Sequence, residues 1–310
     1  MCVMECGYSF SFFSENLSSL FSMKTFSRFF LSIPMAFGLL GGVWPVQAFP
    51  PGLSYTLFGN VRDQYGVLLP TTGASIVTYV GLKEMQRQSL VDVPTFDYNY
   101  QLRLRIDMAR PDTATYHPRA LSTGSVFNLA VVRGNRIYRP IEAAMPSTVG
   151  APADRKRLDL TLGVDLDGDG LPDAWEEAQL HQAGEKPGAN GWELSKVDRD
   201  GDYDGDGISN WNEYLAGTYA LDATSMLDLE IVEKLGDSVR LEFYSFYGRQ
   251  YRLETSTDLK AWVAVPFAVA LPTDEVASPE QSSLTATTTG PTSIYVESAE
   301  ATTHYRLLAR

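Results

Sequence analysis

Between Asp165 and Glu213 the chain carries one twelve-residue pattern twice. The first copy reads Asp165-Leu-Asp167-Gly-Asp169-Gly170-Leu171-Pro172-Asp173-Ala-Trp-Glu176, the second Asp202-Tyr-Asp204-Gly-Asp206-Gly207-Ile208-Ser209-Asn210-Trp-Asn-Glu213. Each puts oxygen-bearing side chains at positions 1, 3, 5 and 9, glycine at 6 and glutamate at 12. Carboxylates at that density repel one another, so alternate residues of a tight loop point at a common centre only if something positive sits there. A hard cation meets the need: Ca²⁺ takes six to eight oxygens at about 2.3–2.6 Å. Glycine at position 6 permits the sharp turn, position 7 supplies a backbone carbonyl, and the glutamate closes the shell with two oxygens. The candidate ligands are therefore Asp165, Asp167, Asp169, the carbonyl of Leu171, Asp173 and Glu176, with Asp202, Asp204, Asp206, the carbonyl of Ile208, Asn210 and Glu213 as the second set. Chance surface acidity accounts for one such match far better than for two. Starting the second copy at Asp198 instead would put Tyr203 at the glycine position and Ser209 at the glutamate position, so the Asp202 register is preferred.

The amino-terminal residues read as an export signal. Met23-Lys24-Thr-Phe-Ser-Arg28 is a short basic start, Phe29 to Trp44 is apolar, and Val46-Gln47-Ala48 places small residues before a cleavage site. Pro34 and Pro45 and the shortness of the apolar run argue against a membrane span. Residues 1–48 are thus expected to be removed, with translation starting at Met23, and the mature chain to be secreted or held at the cell surface. Both cysteines, Cys2 and Cys6, lie upstream of Met23, which leaves the mature chain without disulfides, thiolate nucleophiles or cysteine-bound zinc. Bound calcium is then its available staple. The net charge of −13 disfavours nucleic acid and anionic lipid as partners.

On either side of the acidic stretch the pattern is that of strands. Tyr55 to Arg62, Ala74 to Val80, Tyr100 to Ile106, Val126 to Val132, Arg136 to Ile141 and Arg157 to Leu162 are apolar or alternate, with turn signals at Asp63–Gly66 and Gly134-Asn135. After it, Leu227 to Ile231 and Val239 to Phe243 flank Gly236-Asp237, and Tyr251 to Glu254, Trp262 to Val265, Ser293 to Glu297 and His304 to Leu307 follow. Ala268 to Pro291 reads as a long loop. Short helices are expected only beside the repeats, over Ala174–Gln182 and around Trp211–Leu215, the latter ended by Gly217. The fold class expected is mainly β: two antiparallel β-sandwiches, 49–163 and 221–310, joined by a calcium-binding loop-helix connector over 164–220.

Catalysis is not expected. His117, His181 and His304 are scattered, and no metalloprotease, serine-hydrolase, phosphate-loop or dinucleotide motif occurs. Metal ligation accounts for the paired carboxylates. Tyr98, Tyr100, Tyr138, Phe243, Tyr244, Phe246, Tyr247 and Trp262 could form a sugar-binding platform, although aromatics on alternating strands more often belong to the core.

The run "DLDGDGLPDAWE" and its partner "DYDGDGISNWNEYLAGT" resemble the bacterial thrombospondin type 3 repeat. That resemblance covers about a sixth of the chain. It implies an extracellular, calcium-stabilised spacer of the kind found in adhesion proteins, with the carboxylate, amide and glutamate ligands named above. Pro172 at position 8 lacks the N–H that couples paired EF-hand loops, which argues against a calmodulin-like sensor. A dockerin-like assembly module is weakened by the wide spacing of the copies. The stretch "YTLFGNVRDQYGVLLPTTGASIVTYV" is similar to carboxypeptidase regulatory-like or transthyretin-like sandwiches. "GRQYRLETSTDLKAW" is similar to the fibronectin- or immunoglobulin-like carboxy-terminal sandwiches of exported bacterial proteins. The expected partners are Ca²⁺ and an extracellular protein or glycan, with a carbohydrate-binding or dockerin-like accessory role to exported hydrolases as the alternative.

Overall fold

Strands form on both sides of the acidic repeats. The computed structural model describes residues 53–91, 96–108, 117–270, 280–297 and 303–310; the expected signal segment and both cysteines lie outside them. Before the repeats come Tyr55–Gly59 (β1), Val61–Arg62 (β2), Ala74–Val80 (β3), Lys83–Ser89 (β4), Tyr100–Leu104 (β5), Val126–Arg133 (β6), Arg136–Tyr138 (β7), Ser147–Thr148 (β8), Arg155–Arg157 (β9) and Leu160–Thr161 (β10). Helices Asp173–Gln182 (α1) and Asn210–Ala216 (α2) leave the two loops. After them come Leu229–Leu235 (β11), Ser238–Ser245 (β12), Gln250–Ser256 (β13), Val263–Ala264 (β14), Leu284–Thr285 (β15), Gly290–Glu297 (β16) and His304–Ala309 (β17). The chain is mainly β, in several sheets. No helix among the described residues is long and apolar enough to cross a membrane.

In the amino-terminal part, β4, β3, β6 and β7 lie side by side, with β8 on β6, while β5, β1 and β9 form a second sheet and β2 pairs β10. One hydrophobic cluster lies among them, including Leu57, Val61, Ile76, Tyr100, Leu102, Phe127, Val131 and Leu160. Two pairings differ from the antiparallel expectation: β9 runs parallel to β1, and β10 parallel to β2. The excursion through β3 to β8 is long enough for the chain to re-enter in the same direction, as a parallel neighbour requires. Strand β4 has no strand-like sequence signal. Its Lys-Glu-Met-Gln-Arg-Gln-Ser buries only Met85 and forms by pairing with β3 at a sheet edge.

The carboxy-terminal part has two sheets, β11-β12-β16 and β14-β13-β15 with β17 also on β13. Leu241, Phe243, Tyr251, Leu253, Phe267, Ile294 and Val296 form their shared cluster. Gly236, at φ +60°, makes the turn between β11 and β12. Strand β15 lies within the stretch expected to be loop; two residues are too few for alternation to be visible.

A third cluster, separate from both, holds Leu171, Trp175, Leu180, Val197, Tyr214 and Ala220. All three lie in the one contact unit formed by Phe49–Arg310. Strand β10 is buried to its end, and the chain runs from it through Leu162 and Gly163 into the first acidic loop. The loop is therefore hung directly on a sheet.

Candidate functional site

The two acidic loops fold alike at positions 1, 3 and 5. At position 1 the carboxylate accepts two backbone N–H groups: Asp165 from Gly168 (2.7 Å) and Gly170 (3.1 Å), Asp202 from Gly205 (2.8 Å) and Gly207 (3.0 Å). At position 5, Asp169 accepts from Leu171 and Asp206 from Ile208, both at 2.7 Å. At position 3, Asp167 accepts from Asp169 at 3.4 Å and Asp204 from Asp206 at 3.2 Å. Gly170 and Gly207 have φ of +99° and +96°, which no β-carbon-bearing residue adopts readily. These bonds curl each loop until one carboxylate oxygen from each of its three first aspartates lies within 4.8 Å of the other two.

The glutamates come from the helices. Asp173 clasps the first loop: its N–H donates to the Val164 carbonyl (2.9 Å) and its carboxylate accepts from the Leu166 N–H (2.8 Å). Glu176, in the first turn of α1, is 0 % exposed, and both carboxylate oxygens are buried without a hydrogen-bond partner among the described residues. Glu213, on α2, is 1 % exposed and equally unpartnered. One oxygen each of Asp204, Asp206 and Asn210 is also buried and unsatisfied, while the Asn210 amide donates to the Asp198 carbonyl at 2.6 Å. Burial, then the charges of Asp167 and Asp169, push the Glu176 carboxyl up to about 9. Burial, then Asp204 and Asp206, push Glu213 up to about 8. Burial also raises Asp169 and Asp204.

A buried carboxylate has only acceptor atoms, and leaving it without a donor or a cation costs several kcal/mol, roughly. The nearby cation does not fill that role. The Arg199 guanidinium lies over the Trp211 ring at 4.1 Å, and among the described residues it makes no ion pair with either loop. The unsatisfied oxygens fit a hard divalent cation bound by oxygen alone, and among the described residues neither histidine nor cysteine joins either group to favour a softer metal. At position 7 the side chains play different parts. Leu171 is buried in the third cluster, whereas the Ile208 side chain is 41 % exposed; neither bears an oxygen, so only their carbonyls are available.

Without divalent cation, these shifts give a pH dependence of known sign. The folded state holds protons on Glu176 and Glu213 that the unfolded chain, titrating near 4.5, has already released. The associated stability is complete below about pH 4.5 and is lost as pH rises through about 8 and about 9. In chelator, the denaturant midpoint is expected to fall from pH 5 to pH 9 and to flatten in the double variant Glu176→Gln, Glu213→Gln. A midpoint that rises over that range would contradict the burial of both groups.

Three connections were not legible in the sequence. The Arg199 backbone joins the loops: its N–H donates to Asp169 (2.7 Å), and its carbonyl accepts from the Trp211 N–H (3.0 Å). Asp198 and Asp200, which flank it, stay outside both triads; Asp198 caps a turn by accepting the Asp200 N–H at 3.0 Å. Tyr214, next to Glu213, packs against Trp175 and Trp211, both at 5.4 Å between ring centres. Its hydroxyl donates to the Asp63 carbonyl (3.0 Å), in the turn after β2. From the other side, Arg249 donates to the Tyr65 carbonyl (2.5 Å), and the Tyr251 hydroxyl donates to the Ala216 carbonyl (3.2 Å) at the end of α2. The helix that supplies Glu213 is thus tied both to the turn after β2 and to β13.

Of the aromatics considered as a platform, Tyr100 and Phe243 are core. The Trp262 ring lies under the Arg306 guanidinium at 4.4 Å. Tyr244 and Tyr247 are exposed. His181 is exposed on α1, and His304 begins β17. No protein family matches this chain, and neither characterised proteins nor solved structures contain a match to it.

Proposed function

We propose that this is a secreted, non-catalytic calcium-binding protein of structural or adhesion type. Two Ca²⁺ ions order the connector 164–220 between two β-sandwiches, 49–163 and 221–310. The observation that carries the reading is the pair of buried, unpartnered glutamates, Glu176 and Glu213, each beside an aspartate triad. The first ion would be held by Asp165, Asp167, Asp169, the Leu171 carbonyl, Asp173 and Glu176. The second would be held by Asp202, Asp204, Asp206, the Ile208 carbonyl, Asn210 and Glu213. Bound calcium supplies positive charge and nothing redox-active; the chain's own residues do the rest. Glu176 draws α1 onto the first loop, and Glu213 draws α2, with Tyr214, onto the second.

The sandwich reading is supported by the way each pair of sheets shares one cluster. Export rests on the layout of residues 1–48, and the adhesion-type role on the likeness of the repeats to thrombospondin type 3 units. Affinities of about 10⁻⁴–10⁻³ M, usual for extracellular modules, suit constant occupancy better than signalling. Limited proteolysis tests the reading. With millimolar calcium the segment from Asp165 to Gly217 is expected to resist cleavage, and with chelator it is expected to be cut first. Equal cleavage in both conditions would sink the proposal.

A further inference from the structure

A cleft of about 590 Å³ opens where the segment around Phe96–Asn99 faces the β12–β13 turn and β15. Its volume lies within the range of small-ligand pockets, roughly 300–1,000 Å³. In a chain with 38 acidic and 25 basic residues, not one Asp, Glu, Lys, Arg or His among the described residues lines it. What lines it is aromatic, amide and hydroxyl, with the aliphatic Leu68, Leu69, Pro70, Val91, Leu284 and Ala286 between them. The Phe96 and Tyr98 rings stack on one another at 4.9 Å and 6°, with Phe96 45 % exposed and Tyr98 half-buried. Tyr247, 61 % exposed, stands on the turn.

The walls are held in place from both sides. Ser283 donates to the Phe96 carbonyl (3.2 Å), Asn60 donates to the Gln250 side-chain carbonyl (2.7 Å), and the Leu68 N–H donates to the Gly248 carbonyl (2.9 Å). One donor is left over. The Gln281 side-chain nitrogen is buried in the cleft lining without a hydrogen-bond partner among the described residues.

We propose that this cleft binds a neutral oligosaccharide. Flat exposed rings suit the C–H faces of pyranose units, and neutral amides and hydroxyls suit their hydroxyl groups. A purely apolar ligand would leave the Gln281 amide unsatisfied. An anionic one would meet no cation among the described residues of the cleft, and the field of a chain charged −13.

The test is titration calorimetry of the full chain at saturating calcium. The probes are soluble hexamers of β-1,4-glucan, β-1,3-glucan, β-1,4-mannan and β-1,4-xylan, with an α-1,4-galacturonate hexamer as the charged control. At least one neutral hexamer is expected to bind, and to bind at least tenfold more weakly to Tyr247→Ala and to Gln281→Leu with no change in unfolding midpoint. The galacturonate should not bind. Binding by none of the neutral hexamers, binding unchanged in both variants, or equal binding of the charged hexamer would each overturn the proposal. The calcium reading stands or falls separately, on proteolysis.

Discussion

Saturating calcium is expected to raise the unfolding free energy of this protein by about 5 kcal/mol. A ligand at a hundredfold excess over its dissociation constant stabilises the state it binds by about 2.7 kcal/mol per site. Two sites contribute about twice that if they act independently. With dissociation constants of about 10⁻⁴ M, ten-millimolar calcium gives that excess. For a folded part of this size, the midpoint should rise by roughly 10–20 °C relative to chelator. Glu176→Gln and Glu213→Gln separate ligation from packing. Each keeps the side-chain volume while removing the charge. In chelator both should be nearly silent, because the parent carboxyls are already held largely protonated by burial and by the neighbouring aspartates. In calcium each single variant should lose about half the increment, and the double variant nearly all of it. Equal destabilisation with and without calcium would mean that the two glutamates serve packing alone. Because the Asp169 carboxylate binds the Arg199 N–H on the approach to the second loop, a modest departure from independence is also expected.

The second large effect is expected at Gly66, far in sequence from either loop. Gly66 sits at φ +79°, and a β-carbon there would lie 1.7 Å from an Arg249 guanidinium nitrogen and 2.8 Å from the Tyr214 carbonyl oxygen. Arg249 is buried and anchored on the Tyr65 carbonyl, and the Tyr214 oxygen is helix backbone, so neither yields cheaply. Gly66→Ala should combine left-handed backbone strain of about 1–2 kcal/mol with overpacking of about 1–3 kcal/mol. Gly73 is the matched control, with nearly the same φ, +75°, and nothing within 4 Å of its added β-carbon. Gly73→Ala should cost about 1–2 kcal/mol, the strain alone. Urea unfolding at saturating calcium distinguishes them. Equal losses would show that Arg249 and Tyr214 do not clamp this turn.

Much of the acidic stretch was legible because its chemistry is local. Six candidate ligand positions within twelve residues, glycines where φ must be positive, and helices beginning at Asp173 and Asn210 all follow from short-range spacing. Alternation likewise marked β5, whose burial alternates, and apolar runs marked β3 and β6, each buried at three consecutive residues. It could not mark β4, whose polar residues become a strand only through pairing with β3. Nor could it give the direction of β9 and β10, since period-two burial is the same for parallel and antiparallel neighbours.

The sequence by itself determined which oxygens are available to a cation and that strands flank them. Tertiary structure alone decided where those oxygens are buried. Glu176 and Glu213 become unpartnered only because Leu171, Trp175 and Tyr214 pack into a core that excludes water from around them. It also decided what the second loop is tied to, through Tyr214 to Asp63 and through Ala216 to Tyr251. Partners 151 and 35 residues apart leave no periodic trace along a chain. Whether a carboxylate is solvated or stranded depends on the packing around it, and distant parts of the chain supply that packing.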